Sequence, residues 1–257
     1  GEWGIILGAT EGVGKAFAEK IASEGMSVVL VGRREEMLQE LGKNISETYG
    51  VDHMVIRADF AQSDCTDKIF EATKDLDMGF MSYVACFHTF GKLQDTPWEK
   101  HEQMINVNVM TFLKCFYHYM GIFAKQDRGA VINVSSLTAI SSSPYNAQYG
   151  AGKSYIKKLT EAVAAECEST NVDVEVITLG TTITPSLLSN LPGGPAGEAV
   201  MKAAMTPEAC VEEAFDNLGK SLSVIAGDHN KANVHNWQAN KTDDEYIRYM
   251  GSFYSNN

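Results

Sequence analysis

Seven short runs of β-branched and aliphatic residues punctuate the chain, GIILGA, SVVLVG, HMVIRA, MSYVAC, AVINVSS, VEVITLG and SVIAG, with helix-patterned stretches between them. The helical pattern is plainest over Val13 to Ser23, Glu35 to Thr48, Pro97 to Lys125 and Tyr149 to Cys167, the third reading as one extended helix. Strand, helix, strand repeated in this way predicts parallel strands joined by right-handed crossovers, which place helices on both faces. The expected fold is α/β, a single doubly wound parallel sheet. In such folds ligands collect at the carboxyl ends of the strands. No linker or repeat divides residues 1–257, so one domain is expected.

Two stretches depart from this pattern. Residues 181–207 carry four of the six prolines, with Leu187, Leu188, Leu191, Met201 and Met205 among them. They read as an irregular lid, about 181–206, over an apolar ligand, with an ordinary ordered loop as the alternative. The tail, about 228–257, carries a capping box from Thr242 to Glu245 and then Tyr246, Ile247, Tyr249, Met250, Phe253 and Tyr254. Such large apolar groups at a chain end need cover, from a neighbouring subunit or a substrate, or from the chain's own core. A homodimer or homotetramer whose tail helps shape the substrate site is expected.

The formal charge of −12 argues against nucleic acid or stable association with an anionic membrane as partners, and obliges any anionic ligand to find local positive groups. No apolar run approaches the roughly 18 residues of a membrane span, and the chain does not open on a signal peptide, so a soluble cytoplasmic location is expected. The five cysteines are scattered, odd in number and without a C-x-x-C pair, which suits reduced thiols acting as small apolar groups; no chemistry is assigned to them. The six histidines have no ligand spacing, and no metal site is expected.

Directly after the first strand comes GATEGVGK, with Gly8, Gly12 and Gly14 at the turn into the first helix. Glycines there let the backbone approach a pyrophosphate at the helix's positive N-terminus, although the spacing also suits a glycine-rich turn without a ligand. The second strand ends in VGRREE, where an enzyme using NAD would carry an acid for the ribose hydroxyls. Arg33 and Arg34 offer planar paired donors that fit the 2′-phosphate of NADP; the alternative is a solvated helix start with Glu35 and Glu36 as their partners. Asp59, at the end of the third strand, is placed to bond an adenine amino group. Tyr149 precedes Lys153 by four residues, so a helix sets phenol and ammonium on one face.

Gly8, Gly12 and Gly14, Asn108 in NVNV, Ser136 in INVSS, and Tyr149 and Lys153 in YGAGK together resemble the short-chain dehydrogenase/reductase family in order and spacing, over nearly the whole chain. The resemblance implies a Rossmann-type fold, oxidoreduction of a secondary alcohol or ketone, and a catalytic set of Asn108, Ser136, Tyr149 and Lys153. Hydride delivery to a ketone makes an alkoxide that must take a proton. Tyr149 is the implied donor, its pKa lowered from about 10 by a cationic Lys153. Lys153 would also hold the nicotinamide ribose, Ser136 the substrate oxygen, and Asn108 a water that relays protons to Lys153. Contacts to NADP(H) are implied for Gly8, Thr10, Glu11, Gly12, Val13, Gly14, Arg33, Arg34, Asp59, Phe60, Ala85, Tyr149 and Lys153. LGTTIT matches the family's P-G-x-x-x-T with Leu179 in place of Pro, leaving Thr182 and Thr184 near the nicotinamide amide. Val84, Ala85, Cys86 and Phe87 stand where the family commonly has N-N-A-G, an apolar cofactor wall in place of an Asn.

Longer runs, among them GEWGIILGATEGVGK, SSSPYNAQYGAGK and VEVITLGTTITPSLLSNLPGGP, resemble more narrowly the bacterial members that interconvert 7-oxo and 7β-hydroxy bile acids. That resemblance implies a steroid small molecule as partner, 7-oxolithocholate or ursodeoxycholate. A reductase of another bulky ketone or of a 3-oxoacyl thioester would share the catalytic set. A catalytically silent NADP sensor would share the fold, but intact Tyr149 and Lys153 speak against it.

Overall fold

Strands β1 (Trp3–Leu7) and β2 (Ser27–Gly32) are apolar at consecutive positions because helices cover both of their faces. Ile5, Leu7, Val29 and Val31 point into one core; Ile6, Val28 and Leu30 point into the other. The computed structural model describes residues 1–252 apart from Asn190 and Pro192, so Phe253 and Tyr254 of the expected tail face lie outside the described residues. Between and after these strands come α1 (Gly12–Ser23), α2 (Glu35–Tyr49), β3 (His53–Arg57), α3 (Cys65–Thr73), β4 (Met78–Tyr83), α4 (Trp98–Ile105), α5 (Phe112–Gln126), β5 (Gly129–Ser136) and α6 (Ala147–Glu166). The chain continues through β6 (Val172–Leu179), α7 (Pro185–Ser189), α8 (Gly194–Ala203), α9 (Pro207–Asn217), β7 (Ser223–Ile225), α10 (Asp228–Asn240) and α11 (Asp243–Ser252).

The seven strands form one sheet in the order β3-β2-β1-β4-β5-β6-β7, every neighbouring pair parallel. This is the doubly wound, Rossmann-type sheet that the sequence predicts. The strand order reverses between β1 and β4, where Leu7 sits in register with Val31 on one side and Tyr83 on the other. A crevice opens at the carboxyl ends of strands at such a reversal.

Three expectations need correction. The run Pro97 to Lys125 is helical throughout but not one regular helix: residues Asn106–Thr111 form a π-helical segment between α4 and α5. Three long-range hydrogen bonds anchor the altered segment, one from Tyr83 Oη to Val107 O at 2.6 Å and two between the Asn108 amide and Phe87 in the loop after β4. The fourth strand ends at Tyr83, so Val84–Cys86 begin a loop instead of completing MSYVAC as a strand. The lid is not irregular, since it contains α7 and α8, and its ends are tied together by a parallel bridge between Thr182 and Met205. The tail, as far as Ser252, is helical and makes contacts with its own chain, one of the covers left open above. The Trp237 and Tyr246 rings stack at 4.1 Å, and a side chain at Gly251 would press on Pro144. The capping box forms as expected: Thr242 N–H donates to Glu245 Oε2 (2.8 Å) and Glu245 N–H to Thr242 Oγ1 (3.3 Å).

Candidate active site

The turn between β1 and α1 is shaped by its glycines. Gly8 and Gly12 take φ of 104° and 57°, and a Cβ at Gly14 would overlap the Gly8 carbonyl oxygen. The backbone from Gly8 to Gly14, Thr10, Glu11 and Val13 included, therefore leads into the N-terminus of α1 with no side chain at the closest approach. A Cβ at Gly12 would also meet Thr184 at 2.9 Å, so the turn lies against the base of the lid. Such a cradle fits a pyrophosphate. Arg34 is held by the Glu11 carboxylate at 2.9 Å, not by Glu35 or Glu36, whereas Arg33 is exposed and has no ion-pair partner among the described residues. Asp59 Oδ1 accepts from Ala61 N–H (3.1 Å), which fixes the turn after β3 beside buried Phe60. Thr182 and Thr184 cap their own backbone, Thr182 on Gly180 O and Thr184 at the N-terminus of α7.

Across the crevice, Tyr149 lies in the first turn of α6 and Lys153 one turn later, as their spacing requires. The small residues between them have packing reasons: a Cβ at Gly150 would crowd the Thr138 carbonyl, and one at Gly152 would crowd Asn108. Lys153 is 2% exposed; its Nζ donates to Val134 O (2.9 Å) and lies 5.8 Å from the centre of the Tyr149 ring. Ser136 ends β5, its hydroxyl accepting from Thr138 N–H (3.3 Å) and interacting with the Tyr149 phenol. Asn108 is buried in the π-helical segment. Its Oδ1 accepts from Phe87 N–H (2.9 Å) and its Nδ2 donates to Phe87 O (2.7 Å), so the amide clamps a loop directly. The four residues thus border one crevice, but two of them behave otherwise than expected. Asn108's amide is committed to backbone, and Lys153 does not pull the phenol's pKa down. Burial pushes the Tyr149 pKa up, a negative charge at Cys86 acts the same way, and the Ser136 hydroxyl only partly opposes them. Burial also lowers the Lys153 pKa, with Cys86 opposing.

Sequence reasoning missed His88 here, and placed Cys86 on an apolar cofactor wall without giving its thiol any chemistry. Cys86 and His88 follow β4 and belong to the loop that Asn108 clamps. The His88 ring stands edge-on to Tyr149 at 5.5 Å and to Phe90 at 5.4 Å. No local spacing marks them; the available signal was their position just beyond the carboxyl end of a strand next to the reversal point. Among the described residues no cluster of His, Cys, Asp and Glu is arranged for a metal ion, and no helix is long and apolar enough to cross a membrane.

The chain has relatives that match it over nearly its whole length. The chain is 74% identical over 254 residues to a 7β-hydroxysteroid dehydrogenase of Mediterraneibacter gnavus and 75% identical over 254 residues to one of Collinsella aerofaciens. Each alignment covers 99% of this chain and 97% of the relative. A solved 7β-hydroxysteroid dehydrogenase, studied for its stereoselectivity, superposes with a TM-score of 0.95 at 74% identity, covering 97% of this chain and 96% of that one. The short chain dehydrogenase family model matches residues 2–191, which include the glycine turn, Ser136, Tyr149 and Lys153, and the chain belongs to that family.

Proposed function

We propose that this protein is an NADP(H)-dependent 7β-hydroxysteroid dehydrogenase that interconverts 7-oxo and 7β-hydroxy bile acids, 7-oxolithocholate and ursodeoxycholate. The observation that carries the reading is the near-full-length identity of 74–75% to enzymes of that activity. The crevice supports it by supplying both halves of the chemistry. The glycine cradle and the N-terminus of α1 would hold the pyrophosphate, with Thr10, Glu11 and Val13 beside it. Arg33 would hold the 2′-phosphate, with Arg34 behind it. Asp59 and Phe60 would border the adenine; Ala85, Thr182 and Thr184 would border the nicotinamide. When bound, the nicotinamide supplies the hydride. Tyr149 holds the proton that the substrate oxygen takes, Ser136 orients that oxygen, and Lys153 replaces its bond to Val134 O with one to the ribose. Asn108 acts by keeping the Phe87 loop in place.

The lid, tied at Thr182 and Met205, and the tail, seated near Pro144, border the space in which a long apolar skeleton would lie. The protein acts as one domain in the cytoplasm and as a homodimer or homotetramer. The exposed faces of the π-helical segment, α5 and α6, with Met110, Tyr117 and Tyr155 at 45%, 80% and 36% exposure, suit a second copy better than the inward-folded tail does. The test is purified protein with NADPH and a panel of 3-, 7- and 12-oxo bile acids, with products resolved by stereoisomer. Reduction confined to the 7-oxo acids, giving 7β alcohols, is expected; preference for a 3-oxoacyl thioester or no turnover at all overturns the reading.

A further inference from the structure

Cys86 sits on a loop fixed from two sides. A Cβ at Gly8 would come within 2.6 Å of the Ala85 nitrogen, so the loop lies against the glycine turn, and Asn108 bonds both backbone groups of Phe87. Of the five free thiols, Cys65, Cys115 and Cys210 are buried and Cys167 is half-buried, whereas Cys86 is exposed. Cys86 lies within electrostatic reach of His88 and Lys153, the His88 imidazole stands edge-on to the Tyr149 ring at 5.5 Å, and the Lys153 ammonium lies 5.8 Å from the centre of that ring. A thiol, an imidazole, a phenol and an ammonium therefore converge at one end of the crevice. Proton and hydride exchange with a ketone needs no thiol.

We propose that Cys86 is a covalent modification site of this crevice, taking small disulfides by thiol–disulfide exchange, and that the adduct blocks ketone reduction by filling the space beside Tyr149. The Cys86 thiol passes its proton to His88, and its sulfur attacks one sulfur of the disulfide R–S–S–R. The Cys86–S bond forms as the S–S bond breaks, and the leaving thiolate takes the proton from His88 to depart as R–SH. No electrons are gained or lost overall, and excess thiol reverses the step. The surroundings favour this sulfur. Dense packing acts to raise its pKa, but the proximity of His88 and the charges of Lys153 and His88 outweigh that and bring it down. Burial instead drives Cys65 and Cys167 up, and Cys210 to about 11.

The blocking half of the proposal rests on the ketone-reductase reading, while the labelling half does not. The full-length protein is treated with 2-hydroxyethyl disulfide, sampled over time, digested and mapped by mass spectrometry, with activity read on whichever oxo bile acid it reduces. Mixed disulfide is expected on Cys86 at least roughly tenfold faster than on any other cysteine, with NADPH-dependent reduction falling in step by roughly fivefold or more and returning with dithiothreitol. Cys86→Ala should lose no activity to the reagent, whatever its starting rate. Should that variant not fold, His88→Ala provides the second arm, in which Cys86 labelling should slow by roughly threefold or more. Labelling shared evenly among the thiols, or full labelling of Cys86 with reduction intact, overturns the proposal. Selective labelling in a protein that reduces no oxo bile acid overturns the blocking half together with the function reading, leaving the site itself established.

Discussion

At Tyr149, burial in the first turn of α6 pushes the phenol's pKa up, so the group is protonated throughout the neutral range. A raised pKa keeps the acid form present as pH rises, which serves reduction; oxidation needs the ionised form. Ketone reduction should therefore change little between about pH 6 and 8, while alcohol oxidation climbs over the same span, measured as kcat in each direction. An oxidation rate that levels off below about pH 7 would show that the bound cofactor moves the phenol's pKa below neutrality. Tyr149→Phe should cut kcat by about 10²–10⁴ while leaving NADPH affinity, read by fluorescence titration, within about twofold. At the cofactor end, the two arginines are not equivalent. Arg33 has no acidic partner among the described residues, whereas Arg34 is already held by Glu11. Arg33→Ala should raise KM for NADPH by about tenfold with little change for NADH, and Arg34→Ala should raise it less. Equal losses for both cofactors would remove the 2′-phosphate role.

Two elements carry consequences of their own. The π-helical segment between α4 and α5 presents Asn108 to Phe87, and both of its amide bonds end on backbone groups of the loop that bears Cys86 and His88. Asn108→Ala leaves an N–H and a C=O of that loop without partners. It should destabilise the protein by about 1–3 kcal/mol in denaturant titration and lower kcat through the loosened loop. On β6, Glu175 is fully buried, neither carboxylate oxygen has a hydrogen-bond partner among the described residues, and burial, with Glu213 close by, raises its pKa to about 8. The folded state thus holds this proton more tightly than the unfolded chain does. Its contribution to stability is complete below about pH 4.5 and is lost as pH rises through about 8. Glu175→Gln should flatten that alkaline loss of Tm between about pH 6 and 9; an unchanged slope would mean another group is responsible. The strands, most helix limits, the glycine turn and the Tyr149–Lys153 pair were legible because each depends on local period or on a short spacing. The π-helical segment was not, because its cause is a contact between residues 108 and 87. His88, and the approach of Cys86 to Tyr149, escaped for the same reason: only the path of the loop after β4 brings them there. The lid's helices were hidden by a dense run of prolines and glycines, in which Pro195 sits in the first turn of α8 instead of breaking it.

The whole molecule must also cover its remaining apolar surface, and the two candidate surfaces differ. Met110 at the end of the π-helical segment, Tyr117 of α5 and Tyr155 of α6 are all exposed, and Tyr155 meets Phe112 edge-on. The tail, in contrast, already has partners: Tyr246 stacks on Trp237, Lys241 lies 5.0 Å from the Tyr249 ring centre, and Gly251 approaches Pro144. Pro144 is five residues before Tyr149, so the tail's contacts reach the loop that leads into the catalytic helix. Assembly and substrate binding should therefore separate genetically. Met110→Glu combined with Tyr117→Glu buries like charges if a second copy covers that face, and should shift the sedimenting species toward monomer. Deleting the residues after Lys241 should leave the sedimenting species unchanged but raise KM for 7-oxolithocholate by roughly tenfold, since a large apolar ligand loses one wall of its site. A truncated protein that dissociates would assign the tail to the subunit interface. One that assembles normally with unchanged kinetic constants would confine the tail to packing on its own subunit, and the steroid site would then lie between the lid and the Phe87 loop alone.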